Sequence, residues 1–218
     1  MSASRSAGGL GKYRKVKLVP FGEFVPARNK LPFLNKYQIR ETDVIPGEKH
    51  NLISTDYGDI GIIICFESLF PAITREMANN GADLLFVLTN DSWFKDSFAA
   101  KQHLYFSVLR AVESRRSIVR SAATGISALI NPYGKILSKT NIFEETILSG
   151  KTYIAKDKKT TIYTKYGDWF VYLCFILFFI CLLIKYVVLK NYKNGCGQIR
   201  NHPKLSKQDQ AKQPTPKA

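Results

Sequence analysis

A thiol stands at the end of an apolar run in the stretch GIIICFES, residues 61–68. The run Gly61–Ile64 is typical of a buried β-strand, so Cys65 would end that strand and begin a turn into a helix. A thiol there could attack a carbonyl carbon if a base took its proton, and the N–H groups of the turn could bind the oxyanion. Because cysteine is often buried, position alone leaves open that Cys65 fills the core.

Small polar residues occupy the equivalent place after the next apolar run. The segment Asn90–Phe94, NDSWF, follows a predicted strand at Asp83–Leu88. Functional groups in α/β folds gather at the carboxyl ends of strands, which makes Asn90 and Trp93 candidates for the rim of a pocket. An Asx-turn with aromatic packing is an equally good interpretation of this segment taken alone.

Lys15 and Glu23 lie on either side of the chain break predicted at Pro20–Gly22. A lysine near an acyl-transfer centre can stabilise the tetrahedral oxyanion, and a carboxylate can orient the lysine or act as a base. Three further basic residues lie close to Lys15, so an ordinary surface pair is the competing interpretation.

The histidines and cysteines do not form a second candidate centre. His50 falls in a predicted loop, His202 in the tail, and His103 in a long predicted helix, where a structural role is favoured over a Cys-His pair. Cys65 is the only cysteine before Cys174, so no disulfide framework and no Cys-based zinc site is expected around it. We predict neither a metal nor a cofactor.

Strands and helices are predicted to alternate over residues 60–138, in the order β-α-β-α-β-β-β, which indicates an α/β layered core. The predicted strands are Ile60–Ile64, Asp83–Leu88, Ile118–Ala122, Ile126–Ile130 and Lys135–Ser138, and the predicted helices are Phe70–Asn80 and Ser97–Arg115. Before them, the pattern predicts a strand at Lys12–Leu18 and a long loop at Phe24–Glu48.

One segment has the length and composition of a membrane span. Trp169–Leu189 holds 21 residues with Lys185 as its only charge, and a helix of that length spans about 30 Å, the thickness of a bilayer core. The net charge of the chain is +15, and much of the basic excess flanks this segment. Nucleic-acid binding is therefore disfavoured, and the nearly balanced flanking charges do not orient the helix.

The sequence divides into five predicted parts. They are a ragged start at 1–11, a partial catalytic domain at 12–150, a linker at 151–168, a transmembrane helix at 169–189 and a basic tail at 190–218.

Five stretches together resemble one family. They are KVKLVPFGEFVP at Lys15–Pro26, CFES at Cys65–Ser68, TNDSWF at Thr89–Phe94, QH at Gln102–His103 and RAVESRR at Arg110–Arg116. They resemble the carbon-nitrogen hydrolase (nitrilase) superfamily, and more narrowly its membrane branch, the apolipoprotein N-acyltransferases. The resemblance covers roughly residues 12–138 and the apolar segment that follows. It implies part of a nitrilase-like αββα sandwich, followed by one C-terminal transmembrane helix.

The resemblance also implies a reaction. Cys65 would take an acyl chain from a phospholipid as a thioester, and the α-amine of a diacylglyceryl-cysteine apolipoprotein would then receive it. Lys15 would stabilise the oxyanion. Glu23 would orient that lysine, and Glu67 would be a second carboxylate beside the nucleophile.

Trp93 and Asn90 would contact the substrate in such a protein. The partners implied are the phospholipid donor, the apolipoprotein acceptor and membrane lipid, with no nucleic acid. The implied location is a bacterial inner membrane, in a protein that crosses it several times and holds its catalytic domain on the periplasmic face. Two alternatives are kept, a membrane-anchored amide hydrolase of the same superfamily and a non-catalytic fragment.

The sequence departs from the family pattern in three respects. The family places a general-base glutamate upstream of the lysine, and no acidic residue precedes Glu23 here. Upstream spans are absent, and Met1–Lys17 lacks the apolar region of a signal peptide, so we expect the carboxyl-terminal part of a longer protein. We also expect the isolated chain to turn over poorly. The third departure is Ala123, where the family pattern has an asparagine.

Overall fold

The structure, a computed structural model, describes residues 2–3, 11–37, 43–155, 157 and 159–199, with side chains for 11–37, 43–155, 157 and 159–192. The chain forms two compact units, 1–167 and 168–218. Most of the predicted ragged start and of the basic tail, with Cys196 and His202, lies outside the residues or side chains described.

The first unit is built on a six-stranded mixed sheet, which follows a two-stranded pair formed by Ser2–Ala3 (β1) and Tyr13–Arg14 (β2). The strands of the large sheet are Leu52–Thr55 (β3), Gly58–Ile64 (β4), Leu84–Asn90 (β5), Ser117–Ala123 (β6), Ala128–Ile130 (β7) and Ile136–Lys139 (β8), paired in that order. The central strands β4, β5 and β6 are parallel, and an antiparallel hairpin extends the sheet at each edge. The predicted β-α-β-α-β-β-β order is confirmed over β4 to β8.

Two crossover helices connect the parallel strands. Helix α1, Pro71–Asn79, begins with a proline. The missing N–H of proline costs no hydrogen bond there, because the first N–H groups of a helix have no acceptor within the helix. Helix α2, Phe98–Ser114, begins after Ser97, whose hydroxyl accepts a hydrogen bond from the backbone N–H of Ala99 at 3.3 Å. The helices contact each other, α1 packs on β4 and α2 packs on β6. In the described residues, α1 and α2 therefore form one helical layer that packs on one sheet.

Apolar side chains of the strands fill the space beneath these helices. Ile63, Leu85 and Ile118 are fully buried in neighbouring strands. Gly61 is required here, since a Cβ at this position would lie 2.7 Å from Leu85 Cδ2 and 3.0 Å from Met77 Sδ on α1. Burial of each large aliphatic side chain contributes about 1.5–3 kcal/mol to folding, so this layer holds the sheet edge that carries the site.

The parallel register brings the carboxyl ends of the central strands to one edge. Ile64 pairs with Leu88, and Asn90 pairs with Ala123. The residues that follow β4 and β5 in sequence therefore meet at this edge, as the sequence pattern predicted.

The strand predicted at Lys12–Leu18 is wrong in length. Only Tyr13–Arg14 (β2) is extended and paired, with Ser2–Ala3 (β1). The backbone N–H groups of Val16 and Lys17 donate instead to the side chain of Glu67, at 2.7 and 3.1 Å. The buried carboxylate of Glu67 thus accepts the hydrogen bonds that a neighbouring strand would otherwise have accepted.

Two elements in the amino-terminal half of the chain were not predicted from the sequence. The hairpin strand β3 was not predicted; its turn to β4 relies on Gly58, which has φ +137°. The long segment Phe24–Glu48 contains a short 3-10 helix at Pro32–Tyr37, and residues 38–42 lie outside the described part of the chain.

The segment before the apolar helix packs on the first unit. It contains a short helix, Ile162–Tyr166 (α3), which contacts α1 and α2. The Arg75 side chain donates from Nε to the Thr164 carbonyl at 2.9 Å and from Nη2 to the Lys165 carbonyl at 3.2 Å. The chain is thereby fixed to the α1–α2 layer up to Gly167.

The second unit contains the helix α4, Trp169–Ile199. Within it, Trp169–Tyr192 is long and apolar enough to cross a membrane, by length and composition. At about 1.5 Å per residue these 24 residues extend roughly 36 Å.

Candidate active site

Cys65 lies in a strained turn at the end of β4. Its φ of +52° falls in the left-handed region, which a residue with a Cβ occupies at a cost of about 1–3 kcal/mol. The residue opens a 3-10 helix, Cys65–Leu69, and its thiol is free and half-buried. The hydroxyl of Ser68 donates to the Cys65 carbonyl at 2.9 Å, which ties the turn together. At this turn Cys65 packs against the edge of the core on one side and lines a pocket on the other.

The Cys65 turn borders a pocket of about 400 Å³. The residues that line it are Val19, Pro20, Gly22, Glu23, Cys65, Phe66, Leu69, Asn90, Trp93, Phe94 and His103. Most of these side chains are apolar, and the pocket lies within the size range of small-molecule sites. A thiol in the wall of an apolar pocket is suited to react with a group that carries a hydrocarbon chain.

Lys15 and Glu23 form a close ion pair at this pocket. The Lys15 Nζ lies 2.8 Å from each carboxylate oxygen of Glu23, and Lys15 is almost fully buried. Glu23 Oε2 also accepts the backbone N–H of Val19 at 2.8 Å, which fixes the intervening loop. Glu23 lines the pocket together with Cys65. Of the two interpretations left open by the sequence, the buried pair fits an oriented lysine better than a solvated surface contact.

Glu67 is fully buried beneath the nucleophile turn. Its Oε1 accepts from the N–H groups of Val16 and Lys17, and its Oε2 accepts from the N–H of Ile64 at 2.8 Å. The Tyr13 hydroxyl lies 3.0 Å from both oxygens. These four donors occupy the carboxylate, so Glu67 joins the loop that carries Lys15 to the turn that carries Cys65.

The Tyr13 hydroxyl stays a donor in this arrangement. Burial, and next to it the negative charge of Glu67, raise the pKa of Tyr13 far above its ordinary value of about 10. The phenol is therefore neutral across the physiological range and keeps its proton for Glu67.

A second buried polar group lies on the other side of the Cys65 turn. Asp91, directly after β5, accepts from Arg120 Nη2 at 2.7 Å and lies 2.8 Å from His103 Nδ1. All three side chains are nearly inaccessible. Burial acts to raise the pKa of Asp91, but the hydrogen bond from His103 and the charge of Arg120 outweigh it and lower that pKa below its ordinary value. Asp91 is thus an ionised carboxylate between two nitrogen donors.

The candidate substrate residues border the pocket. Trp93 is 63% exposed, so its ring has surface left for a ligand to cover. Asn90 is also exposed, and its Oδ1 accepts the backbone N–H of Ser92 at 3.1 Å, the Asx-turn that the sequence allowed. The turn and the pocket rim are therefore compatible. Ala123, where an asparagine was expected, accepts the Asp91 N–H through its carbonyl at 3.1 Å.

The structure thus groups the residues singled out in the sequence. Cys65, Glu23, Asn90 and Trp93 line one pocket, Lys15 is bound to Glu23, and Glu67 supports the same turn from the core. Sequence reasoning missed Asp91 and Arg120. A signal was present for Arg120, because an arginine on the buried side of a predicted strand requires an acidic partner. No group of three or more potential metal ligands occurs in the part of the chain that the structure describes.

Comparison with known proteins adds a family match and a set of relatives. Residues 2–155 match the family model described as carbon-nitrogen hydrolase. The chain is 41% identical over 165 residues to the apolipoprotein N-acyltransferase of Geobacter metallireducens, covering 76% of this chain and 31% of that protein. For the protein of the same name from Thermotoga maritima the identity is 37% over 176 residues, which cover 79% of this chain and 34% of that protein. For the one from Rickettsia prowazekii it is 35% over 193 residues, covering 82% and 35%.

The chain therefore spans about a third of the length of these curated relatives. Among solved structures, it is similar to a carbon-nitrogen hydrolase from Helicobacter pylori, with a TM-score of 0.49 and 18% identity over 63% of this chain and 50% of that one. The Nit3 protein of Saccharomyces cerevisiae matches with a TM-score of 0.47 and 24% identity, covering 63% and 46%.

Proposed function

The chain belongs to the carbon-nitrogen hydrolase family, and from that premise we propose that it carries the acyl-transfer site of a membrane N-acyltransferase. The donor is a phospholipid, and the acceptor is the N-terminal α-amine of a diacylglyceryl-cysteine apolipoprotein. The relatives that cover most of this chain are named for that activity. Donor, acceptor and reaction are proposals for the protein to which these residues contribute.

The observation that carries the proposal is the position of Cys65 in the wall of an apolar pocket. Phe66, Leu69, Trp93 and Phe94 line the same pocket with hydrocarbon and ring surface. Such a lining favours a fatty acyl chain over a small polar amide, because transfer of apolar surface out of water drives its binding. A hydrolase acting on small amides would need more polar groups around the leaving nitrogen.

The reaction balances as two acyl transfers. The Cys65 sulfur attacks the ester carbonyl of the phospholipid, the C–S bond forms, and the C–O bond to glycerol breaks. The thiol proton ends on the hydroxyl of the lysophospholipid. The acceptor amine then attacks the thioester carbonyl, the C–N bond of an amide forms, the C–S bond breaks, and the surplus proton of the amine goes to the Cys65 sulfur. A covalent intermediate lets each step handle one bound lipid at a time.

In this scheme Lys15 stabilises the oxyanion of both tetrahedral intermediates. Glu23 holds the ammonium group through both carboxylate oxygens and so fixes its direction. A positioned ammonium group in a pocket that excludes water stabilises developing charge far more than one in solution. Trp93 and Asn90 contact the acyl donor at the rim.

The apolar part of α4 fits the same proposal. A protein that exchanges acyl chains between lipids works at a bilayer, and Trp169–Tyr192 has the length and composition to cross one. We propose a bacterial inner membrane as the location, with the catalytic domain on its periplasmic face.

The test is detection of an acyl group on Cys65. The longer protein to which these residues contribute is purified in phospholipid nanodiscs and digested, and its Cys65 peptide is examined by mass spectrometry before and after hydroxylamine. We expect the mass of one fatty acyl group, removed by hydroxylamine because thioesters are cleaved by it. Cys65→Ser is the negative control. The double variant Cys174→Ser, Cys181→Ser removes the other described thiols and should leave the adduct in place.

The outcomes separate the candidate functions. An adduct that a diacylglyceryl-cysteine peptide discharges as an amide supports the transferase. An adduct lost to water at the same rate with or without the peptide supports a membrane-anchored hydrolase. If Cys65 reacts with iodoacetamide but never carries an acyl group, both enzyme proposals are wrong.

A further inference from the structure

His103 takes part in neither proposed chemical step, yet it contacts the nucleophile turn. It lies on α2 with 3% of its surface exposed. Its Nδ1 lies 2.8 Å from Asp91 Oδ1, and its Nε2 lies 2.9 Å from Ser68 Oγ and 3.3 Å from the Cys65 carbonyl oxygen. A chain of polar contacts therefore runs from Asp91 through the imidazole to the backbone of Cys65.

Hydrogen-bond counting makes Nε2 the donor nitrogen at the nucleophile turn. The Ser68 hydroxyl has one proton, which it donates to the Cys65 carbonyl at 2.9 Å. Ser68 Oγ must then accept at its contact with Nε2, so Nε2 carries a proton. The alternative, with Ser68 donating to Nε2, would leave two acceptor oxygens facing each other across 2.9 Å.

The other ring nitrogen lies between two charged side chains. Nδ1 is 2.8 Å from Asp91 Oδ1 and 3.2 Å from Arg120 Nη2, and these contacts fix the plane of the ring. Arg120 is satisfied by Asp91, by the Ile126 carbonyl at 3.1 Å and by Ser107 Oγ at 3.2 Å. The groups that face the imidazole in the described residues are these two charged side chains, the Cys65–Ser68 turn and the ring edge of Phe94.

We propose that His103 is a positioning residue for Cys65, whose Nε2–H donates to Ser68 and the Cys65 carbonyl and so holds the nucleophile turn. The donor group keeps the turn at its left-handed φ, which needs surrounding contacts to persist. A turn fixed in this way presents the thiol at the wall of the pocket. The inference rests on the proposed function only in taking Cys65 as the reacting group.

The protonation state can be observed directly. The chain has three histidines, so selective ¹⁵N-histidine labelling gives few resonances, and His103→Gln identifies those of His103. We expect the Nε2 of His103 to show a protonated-type shift in the full chain in detergent or nanodiscs. An unprotonated Nε2 would overturn the inference.

The effect on the thiol is measured with iodoacetamide, a reagent that needs no lipid or acyl-transfer activity. The rate of Cys65 alkylation at pH 7 is followed by mass spectrometry of its peptide. We expect His103→Leu to slow it about fivefold, the change that corresponds to loss of one hydrogen bond. His103→Gln, which keeps an N–H donor towards Ser68, should recover part of that loss. Gln102→Leu, an exposed neighbour on α2, is the matched control.

The alkylation rates can be compared even if some variants are less stable than wild type. The thermal unfolding midpoint of each variant is recorded, and the rates are measured without denaturant at a temperature where all variants remain folded. Equal alkylation rates for His103→Leu and wild type, or for His103→Gln and His103→Leu, would overturn the positioning role. Failure to detect acyl transfer would contradict the proposed function but not the positioning role of His103, because the alkylation rate of Cys65 is measured without the proposed substrates.

Discussion

Lys15 and Glu23 are joined through two equal contacts, with the ammonium nitrogen 2.8 Å from each carboxylate oxygen. This symmetrical pair leaves the lysine little freedom, since one oxygen of Glu23 is also held by the N–H of Val19. Glu23 reaches the pocket that Cys65 lines, so the pair connects the loop before Pro20 to the nucleophile. The two residues are expected to behave as one unit.

Lys15→Met should abolish formation of the Cys65 acyl adduct, because the methionine keeps the volume of the stem and removes the charge. Glu23→Gln should lower the adduct yield by about ten- to a hundredfold, since the lysine loses its charged anchor but remains present. Mass spectrometry of the Cys65 peptide in nanodiscs measures both. Exposed Lys101→Met is the control for loss of one positive charge. Full adduct in Lys15→Met would exclude the proposed role of the pair.

The Glu67 carboxylate is expected to be among the most sensitive positions for stability. Glu67→Gln replaces two acceptor oxygens by one and points an amide at backbone N–H groups, which should lower the free energy of unfolding by about 3–5 kcal/mol. Tyr13→Phe removes one of the donors and should cost about 1.5–3 kcal/mol. Urea unfolding of the chain in detergent, followed by circular dichroism, measures the difference. A Glu67→Gln variant as stable as Tyr13→Phe would contradict the assignment.

The sequence predicted those parts of the fold that rest on local patterns. The apolar runs at Ile60–Ile64 and Asp83–Leu88 lie within or overlap β4 and β5, because buried parallel strands require such runs. The Lys12–Leu18 strand failed because its alternation is real but its hydrogen-bonding partner is a side chain distant in sequence, Glu67. The hairpin strand β3 lacked a strong apolar run, and its turn depends on the positive φ of Gly58.

The candidate site was predictable to a similar extent. Cys65, Lys15 and Trp93 could be named from residue type and family motifs. That Cys65 and Trp93 line one pocket followed from the rule that parallel strands end at one edge, whereas Lys15 joins them through its ion pair with Glu23. The pairing of Asp91 with Arg120 and His103 could not be derived, since it depends on side chains from a turn, a helix and a strand meeting in three dimensions.

Stability at acidic pH should depend on Asp91. Its pKa is lowered in the folded state, so its contribution to stability is complete above the unfolded-state value of about 3.9 and is lost as the pH falls through the lower folded-state value. Asp91→Asn should therefore be less stable than wild type at pH 7, with the gap narrowing below about pH 4. Urea unfolding between pH 3 and pH 7 measures this gap, with exposed Asp96→Asn as the control. A gap that stays constant down to pH 3 would contradict the prediction.

The contacts of Arg75 should protect the segment that leads into the apolar helix. Its guanidinium binds the carbonyls of Thr164 and Lys165. Arg75→Met removes both hydrogen bonds, but Asn79 Nδ2 still donates to the Thr164 carbonyl at 2.9 Å, so the net loss is about one hydrogen bond to a charged group. Cleavage after Lys165 by a lysine-specific protease should therefore become about tenfold faster, because local opening is easier. The exposed Arg14→Met is the control. Unchanged cleavage in Arg75→Met would show that α3 is held without these bonds.

Trp93 should determine how strongly long acyl chains are preferred. Its ring lines the pocket beside Cys65, and with 63% of its surface exposed it has area that a bound chain can cover. Covering an aromatic side chain contributes about 1.5–3 kcal/mol, so Trp93→Ala should slow adduct formation from long-chain donors by about tenfold or more. A short-chain donor, which makes less contact beyond the thiol, should be affected much less.

The measurement is a competition between two phospholipids that differ only in acyl length, scored by the masses found on Cys65. Tyr57→Ala is the matched control, because Tyr57 is a large aromatic residue with 79% exposure in the β3–β4 turn and does not line the pocket. Equal losses for both donors in Trp93→Ala would indicate that the ring orients the reacting ester instead of binding the chain. No loss for either donor would place the acyl chain away from Trp93, and the apolar pocket would then cease to explain the choice of substrate.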